Sequence, residues 1–187
     1  MDEIIILGVV GSLRKNSYNR FALRAAQELV QEGVVLNLID LHGIPVYDQD
    51  EEMAPPAAVV EFKRQVLAAD AILFATPEYN YSVPGGLKNA IDWASRAQPG
   101  EAALACFDGK VAGLMAASPG ALGGLRGLVT VRSILSNIRV MVLPEQVAVS
   151  KANEAFAADG SLKDDKQAAA VKAIGAKVVK VVSALKG

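Results

Sequence analysis

Short runs in which almost every residue is apolar alternate along this chain with longer segments in which apolar residues recur every three or four positions. The runs Glu3 to Val9, Val34 to Ile39, Asp70 to Thr76 and Lys110 to Ala117 read as strands, and Ala71 to Ala75 has the unbroken hydrophobicity of one covered on both faces. A fifth, Arg139 to Leu143, continues as an interrupted apolar stretch to Val149. Between them the period of 3.6 predicts a helix over Asn19 to Glu32, with Phe21, Ala22, Ala25, Ala26 and Leu29 along one face and Gly33 as its stop. Further helices are predicted near Ala57 to Ala69, at Leu87 to Ala97, at about Leu122 to Asn137 and at about Asp164 to Leu185. On the Leu87 helix, Leu87, Ala90, Ile91 and Ala94 share the core face, Trp93 lies at its margin, and Lys88 and Asp92 lie opposite. Asp40 to Pro56, with Gly43, Pro45, several acids and a Pro-Pro pair, predicts a long surface connection and the most mobile segment of the chain.

Strands and helices in strict alternation form a parallel sheet wrapped by helices. Five of each suggest a three-layer α/β sandwich of the flavodoxin-like kind, with a five-stranded parallel sheet of order 2-1-3-4-5. Right-handed crossovers then reverse direction between the first and third strands. The loops Val10 to Tyr18 and Thr76 to Gly86 would flank one crevice at that reversal, bordered by Ser118 to Gly124 after the fourth strand. Ligands of open α/β sheets bind at this edge. No repeat, low-complexity tract or linker divides the chain, so residues 1–187 are expected to form one domain.

Composition narrows the chemistry. A net charge of −1 gives no global field for a polyanion, which excludes nucleic acid and anionic membranes as natural partners. The acidic start, Met1-Asp2-Glu3, and the short apolar run behind it lack the basic flank of a signal peptide and the length of a membrane span. Cys106 is the single cysteine and His42 the single histidine, which excludes an intrachain disulfide and a Cys/His metal cluster. A cytoplasmic protein without a metal is expected. Cys106 precedes the fourth strand, away from the crevice, and reads as a buried, inert thiol; His42 has no nucleophile or orienting acid beside it, so no triad is expected.

Chemistry collects in the two main loops. Gly11-Ser12-Leu13-Arg14-Lys15-Asn16-Ser17-Tyr18-Asn19 brings hydroxyls, amides and two cations to a helix N-terminus, a phosphate site in outline. It is neither a Walker loop nor a dinucleotide fingerprint, so a mononucleotide-type phosphate fits better. The plainer reading is a helix cap at Ser17 or Asn19 beside solvated charges. Glu78, Tyr79, Asn80, Tyr81 and Ser82, between Pro77 and Pro84, hold more polar and aromatic capacity than a turn requires and suit a flat polar ring, although both tyrosines could simply cover the sheet edge. Gly85 and Gly86 suggest unusual backbone angles or a close approach to helix or ring. In the third loop Ser118 is the only side-chain donor.

Together, Gly11 to Asn19 and Pro77-Glu78-Tyr79-Asn80-Tyr81-Ser82-Val83-Pro84-Gly85-Gly86-Leu87-Lys88-Asn89-Ala90-Ile91-Asp92-Trp93 resemble the NADPH-dependent FMN reductase family, in particular its bacterial quinone and chromate reductase branch. The resemblance runs from the first strand to about the fourth helix. It implies noncovalent FMN, NADPH or NADH as electron donor, and homodimers or homotetramers with flavin sites at subunit edges. By position it assigns Ser12, Arg14, Ser17, Tyr18 and Asn19 to the FMN phosphate and ribityl chain, Pro77, Glu78, Tyr79 and Asn80 to the isoalloxazine edge, and Ser118 to its approach from the third loop. Asn16 stands where the family often has a smaller residue. The activity implied is two-electron, ping-pong hydride transfer to a small acceptor such as a quinone, chromate, an azo dye or a nitro compound, with no catalytic protein nucleophile. Two alternatives remain: a flavin reductase that releases reduced FMN, and a flavodoxin-like electron carrier.

Overall fold

The computed structural model describes residues 3–28 and 32–187. Its elements are β1 (Ile4–Val10), α1 (Tyr18–Gln27), β2 (Val34–Asp40), α2 (Ala57–Ala68), β3 (Ala71–Ala75), α3 (Gly85–Ala94), β4 (Val111–Ala117), α4 (Leu125–Asn137), β5 (Met141–Val149), α5 (Ala152–Ala155) and α6 (Asp165–Lys186). The strands form one parallel sheet in the order β2-β1-β3-β4-β5, as expected for a flavodoxin-like fold. Every residue of β3 and β4 is buried, whereas the edge strands β2 and β5 alternate with exposed positions. That contrast is what continuous and interrupted apolar runs should produce.

One layer packs α1 and α6 against the sheet, through Ala22, Leu23, Ala26, Val171, Ile174, Val178 and Val182. The other packs α2, α3 and α4, through Phe62, Val66, Leu87, Ile91, Leu128 and Leu135. The long last helix fits closely: a Cβ on Gly113 would lie 2.7 Å from Ile174 Cγ2 and 3.0 Å from Val178 Cγ2, so β4 needs glycine there.

Boundaries depart from expectation for local reasons. The described part of α1 closes on Glu28; the predicted continuation to Glu32, Leu29 included, crosses residues 29–31, which lie outside the described residues. α3 begins at Gly85, just after Pro84 with its extended ψ of 141°. α4 begins at Leu125 instead of Leu122, because Gly123 and Gly124 are both left-handed, at φ +61° and +91°. The four-residue α5, behind left-handed Lys151, carries too few residues to show a period.

The connection after β2, expected to be the most mobile segment, is bonded to α3 and to the residues just after it. Asn89 Nδ2 and Trp93 Nε1 both donate to the Pro45 carbonyl, at 2.7 and 2.9 Å, and the Tyr47 N–H donates to Asn89 Oδ1 at 2.8 Å. Farther along, Gln98 Nε2 donates to the Glu52 carbonyl at 2.8 Å. Tyr47 meets Trp93 edge-on, 5.1 Å between centroids, and Trp93 is buried rather than marginal. The segment is a strap across α3.

Cys106 is buried before β4, and burial pushes its thiol up to about 11. Alkylation of the folded protein by iodoacetamide at pH 8 should therefore run about two orders of magnitude slower than in urea. Equal rates in the two states would show an accessible thiol.

Candidate functional site

The carboxyl ends of β1 and β3 lie side by side, Val10 paired with Ala75, and the Gly11 N–H donates to the Ala75 carbonyl at 2.8 Å. A Cβ on Gly11 would sit 2.7 Å from Thr76 Oγ1 and 3.1 Å from Thr76 Cα. Only glycine lets the two loops leave the sheet this close together.

In the first loop, Ser17 is the N-cap of α1, its Oγ accepting from the Asn19 N–H at 3.2 Å; Ser12 Oγ accepts from the Arg14 N–H at 3.3 Å. Both serines are buried, and because each oxygen accepts in these bonds its own O–H is left to donate. Arg14 is exposed, its guanidinium 5.9 Å from the Tyr18 ring centroid. Tyr18 stacks on Phe156 at 5.8 Å and meets Phe21 edge-on at 6.3 Å. The Asn19 side chain is engaged within the fold. Its Nδ2 donates to the Ala117 carbonyl at 3.0 Å and its Oδ1 accepts the Ala117 N–H at 2.8 Å, so the buried side chain faces β4.

The second loop is a tight hairpin. Tyr79 and Ser82 exchange both backbone bonds at 3.0 Å, with Asn80 and Tyr81 left-handed at φ +50° and +67°. That is the geometry of a type I′ turn, which asparagine tolerates and tyrosine resists. Pro77 is buried beneath it, while Tyr79 and Tyr81 are exposed. Gly85 and Gly86, expected to supply unusual angles, have ordinary ones; a Cβ on Gly85 would meet nothing within 4 Å, and on Gly86 only Leu13 Cδ1 at 3.9 Å. They leave open space.

A cleft of about 170 Å³ is lined by Gly11, Ser12, Arg14, Tyr79, Gly85 and Gly86. A second, of about 210 Å³, is lined by Glu78, Ser118, Gly120 to Gly124 and Arg126. The Glu78–Tyr79 peptide borders both. Ser118 is half-buried; its N–H donates to the Val149 carbonyl at 3.1 Å and its Oγ accepts from Gly120 at 3.4 Å. A larger cleft, about 340 Å³, lies between α1 and α6 and is lined by charges of both signs, with none of the loop residues.

Arg126 is the site residue that the sequence reading missed. Its Nη2 lies 2.5 Å from Glu78 Oε1, its backbone N–H donates to Glu78 Oε2 at 3.2 Å, and its guanidinium carbon sits 3.8 Å from the Tyr81 ring centroid. Nε is buried without a partner. One signal could have found it: a cation in the first turn of a helix opposes the helix dipole and calls for a local anion.

The crevice thus offers buried hydroxyls and a cation at a helix N-terminus, an open glycine floor and a polar, aromatic hairpin. This donor set fits a phosphate joined to a flat polar ring. Residues 4–154 match the NADPH-dependent FMN reductase family. The chain belongs to that family. Among NADPH-dependent FMN reductase relatives, an NAD(P)H-dependent FMN reductase of Pseudomonas aeruginosa is 48% identical over 169 residues, covering 88% of each chain. A quinone reductase of Pseudomonas putida is 41% identical over 159 residues, covering 83% of each. The solved flavoenzyme FerB of Paracoccus denitrificans, an NAD(P)H:acceptor oxidoreductase, superposes with a TM-score of 0.84 at 31% identity, covering 96% of this chain and 97% of its own. FMN and a reduced nicotinamide are the family's cofactor pair, and among the described residues no helix is long and apolar enough to cross a membrane.

Proposed function

We propose that this chain is a one-domain, FMN-containing NAD(P)H oxidoreductase that passes two electrons to quinones or similar small acceptors. The observation that carries this reading is the meeting of the Gly11–Asn19 and Pro77–Ser82 loops at one strand reversal, phosphate-type donors on one side and a polar hairpin on the other. Bound FMN supplies the hydride-accepting chemistry, so no protein nucleophile is required. Ser12, Ser17 and Arg14 bind the phosphate end together with the N-terminus of α1, and Tyr18 walls that end from its stack with Phe156. Asn19 holds the loop to β4. Pro77 to Asn80 position the ring edge, Ser118 approaches from the third loop, and exposed Tyr79 shapes the opening for donor and acceptor.

Because one opening serves donor and acceptor in turn, kinetics should be ping-pong, and parallel initial-rate lines would support this while intersecting lines would refute it. The decisive experiment is an anaerobic spectrum of the FMN-loaded protein before and after NADPH or NADH. Rapid bleaching that reverses with quinone supports the reading; flavin that stays oxidised makes the protein a carrier. Flavin lost on gel filtration after reduction would favour a reductase that releases reduced FMN. Chromate, azo dyes and nitro compounds are proposed as further acceptors.

Arg14 is exposed, so its charged bond to phosphate should fall at the weak end of the usual range of about 1.5–3 kcal/mol. Arg14→Ala is expected to weaken FMN binding about tenfold in a fluorescence titration, and an unchanged affinity would place Arg14 outside the site. We also infer a homodimer or homotetramer, because exposed Leu122, Leu125 and Val129 lie beside the crevice; sedimentation as a monomer would refute it. A cytoplasmic setting is proposed, with which the single cysteine is compatible.

A further inference from the structure

We propose that Arg126 is a positioning residue that selects the conformation of the Glu78–Ser82 hairpin and, through it, the affinity for flavin and the access of substrates. The second half of this statement rests on the flavin reading above; the first half stands on geometry alone.

α4 opens on Gly124, a left-handed N-cap residue with no side chain to bond the free N–H groups of the first turn. Glu78, 48 positions earlier, takes that part by accepting the Arg126 N–H, and its carboxylate lies at the positive end of the helix dipole. The Arg126 side chain then returns over the hairpin to neutralise the same carboxylate, whose side chain is only 8% exposed, and to cover the Tyr81 ring. The rest of this helix face is shaped for the hairpin too. A Cβ on Gly127 would lie 3.3 Å from Glu78 Cα and from the Ser82 carbonyl oxygen, and Thr130 Oγ1 donates to the Tyr81 carbonyl at 3.3 Å.

Two consecutive non-glycine residues in the left-handed region make this hairpin costly by itself. The clamp offsets that cost where it arises: the Arg126 cation rests on Tyr81, the more strained of the pair. Without it, a nearly buried carboxylate loses its counter-charge and Tyr81 loses its cover. The hairpin should then relax, moving the Glu78–Tyr79 peptide that borders both clefts.

The test compares Arg126→Met, Arg126→Lys, Glu78→Gln and the Glu78→Gln/Arg126→Met pair in the full chain. Hydrogen exchange at the Tyr79 and Ser82 amides, both bonded within the hairpin, reads its conformation without any flavin. Arg126→Met is expected to speed exchange at these two amides at least tenfold, to raise the FMN dissociation constant about tenfold, and to raise the acceptor KM at saturating FMN more than it lowers kcat. Arg126→Lys should recover most of the affinity, and the double variant should bind flavin no worse than Arg126→Met alone. Unchanged exchange would overturn the clamp, and so would additive single effects. Faster exchange in a protein whose parent binds no FMN would keep the clamp and remove the flavin reading instead. A lowered melting temperature with exchange, affinity and KM all unaltered would leave Arg126 a stabilising residue and defeat the proposal.

Discussion

Asn19→Ala is expected to lower the unfolding free energy by about 2–6 kcal/mol, more than any ligand-facing substitution in the same loop. The side chain holds both backbone groups of Ala117 and is itself buried. Truncation strands one donor and one acceptor, each costing about 1–3 kcal/mol. Urea unfolding of the apo-protein measures the loss directly. Asn19→Asp sharpens the point, because its carboxylate would still accept the Ala117 N–H but would face the Ala117 carbonyl with a negative charge. A carboxyl so placed has a folded pKa above its unfolded one, so that variant should gain stability as pH falls from 7 to 4. The opposite pattern, intact stability with flavin affinity alone reduced, would make Asn19 a direct ligand contact.

This residue shows what a sequence can and cannot carry. Its type and position suit the end of a phosphate-type loop and a helix cap alike, because capping and anion binding use the same small polar side chains. Which way the amide turns depends on Ala117, 98 positions away and brought near only by the β1-β3-β4 order. The strand order itself was legible, since unbroken apolar runs mark the covered strands and right-handed crossovers leave few arrangements. The hairpin was less so. Gly85 and Gly86 drew the eye as the residues of unusual backbone, yet Asn80 and Tyr81 hold the left-handed angles. Their strain is offset by Arg126, 45 positions from Tyr81, which the sequence marks only as a cation in a helix's first turn without naming its partner. The connection after β2 misled for the same reason: its glycine and prolines describe a chain without regular structure, and only Asn89 and Trp93 on α3 make it a fixed strap.

Gly123→Ala is expected to cost about 2–6 kcal/mol and to weaken flavin binding as well, because the site's third loop has no room to move. Gly123 has φ +61°, where a side chain costs about 1–3 kcal/mol. Its Cβ would lie 2.7 Å from both the Ser150 nitrogen and the Val149 carbonyl carbon, and 2.9 Å from the Val149 oxygen. Those are backbone atoms at the end of β5, which cannot rotate away as a side chain can, so a further overpacking cost of about 1–3 kcal/mol is expected. Relief would require the loop to lift. Lifting breaks the lacing that places Ser118: its N–H to the Val149 carbonyl at 3.1 Å, its carbonyl to the Ala152 N–H at 3.0 Å, and the Lys151 N–H to the Gly120 carbonyl at 3.3 Å. Gly120→Ala is the internal control, since its Cβ would meet only Ser118 Oγ at 3.9 Å, and its stability should stay within about 0.5 kcal/mol of the parent. Thermal unfolding and FMN titration of the two variants separate the cases: if both behave alike, the close fit of this loop to β5 does not position the site, and Ser118 must be held by something else.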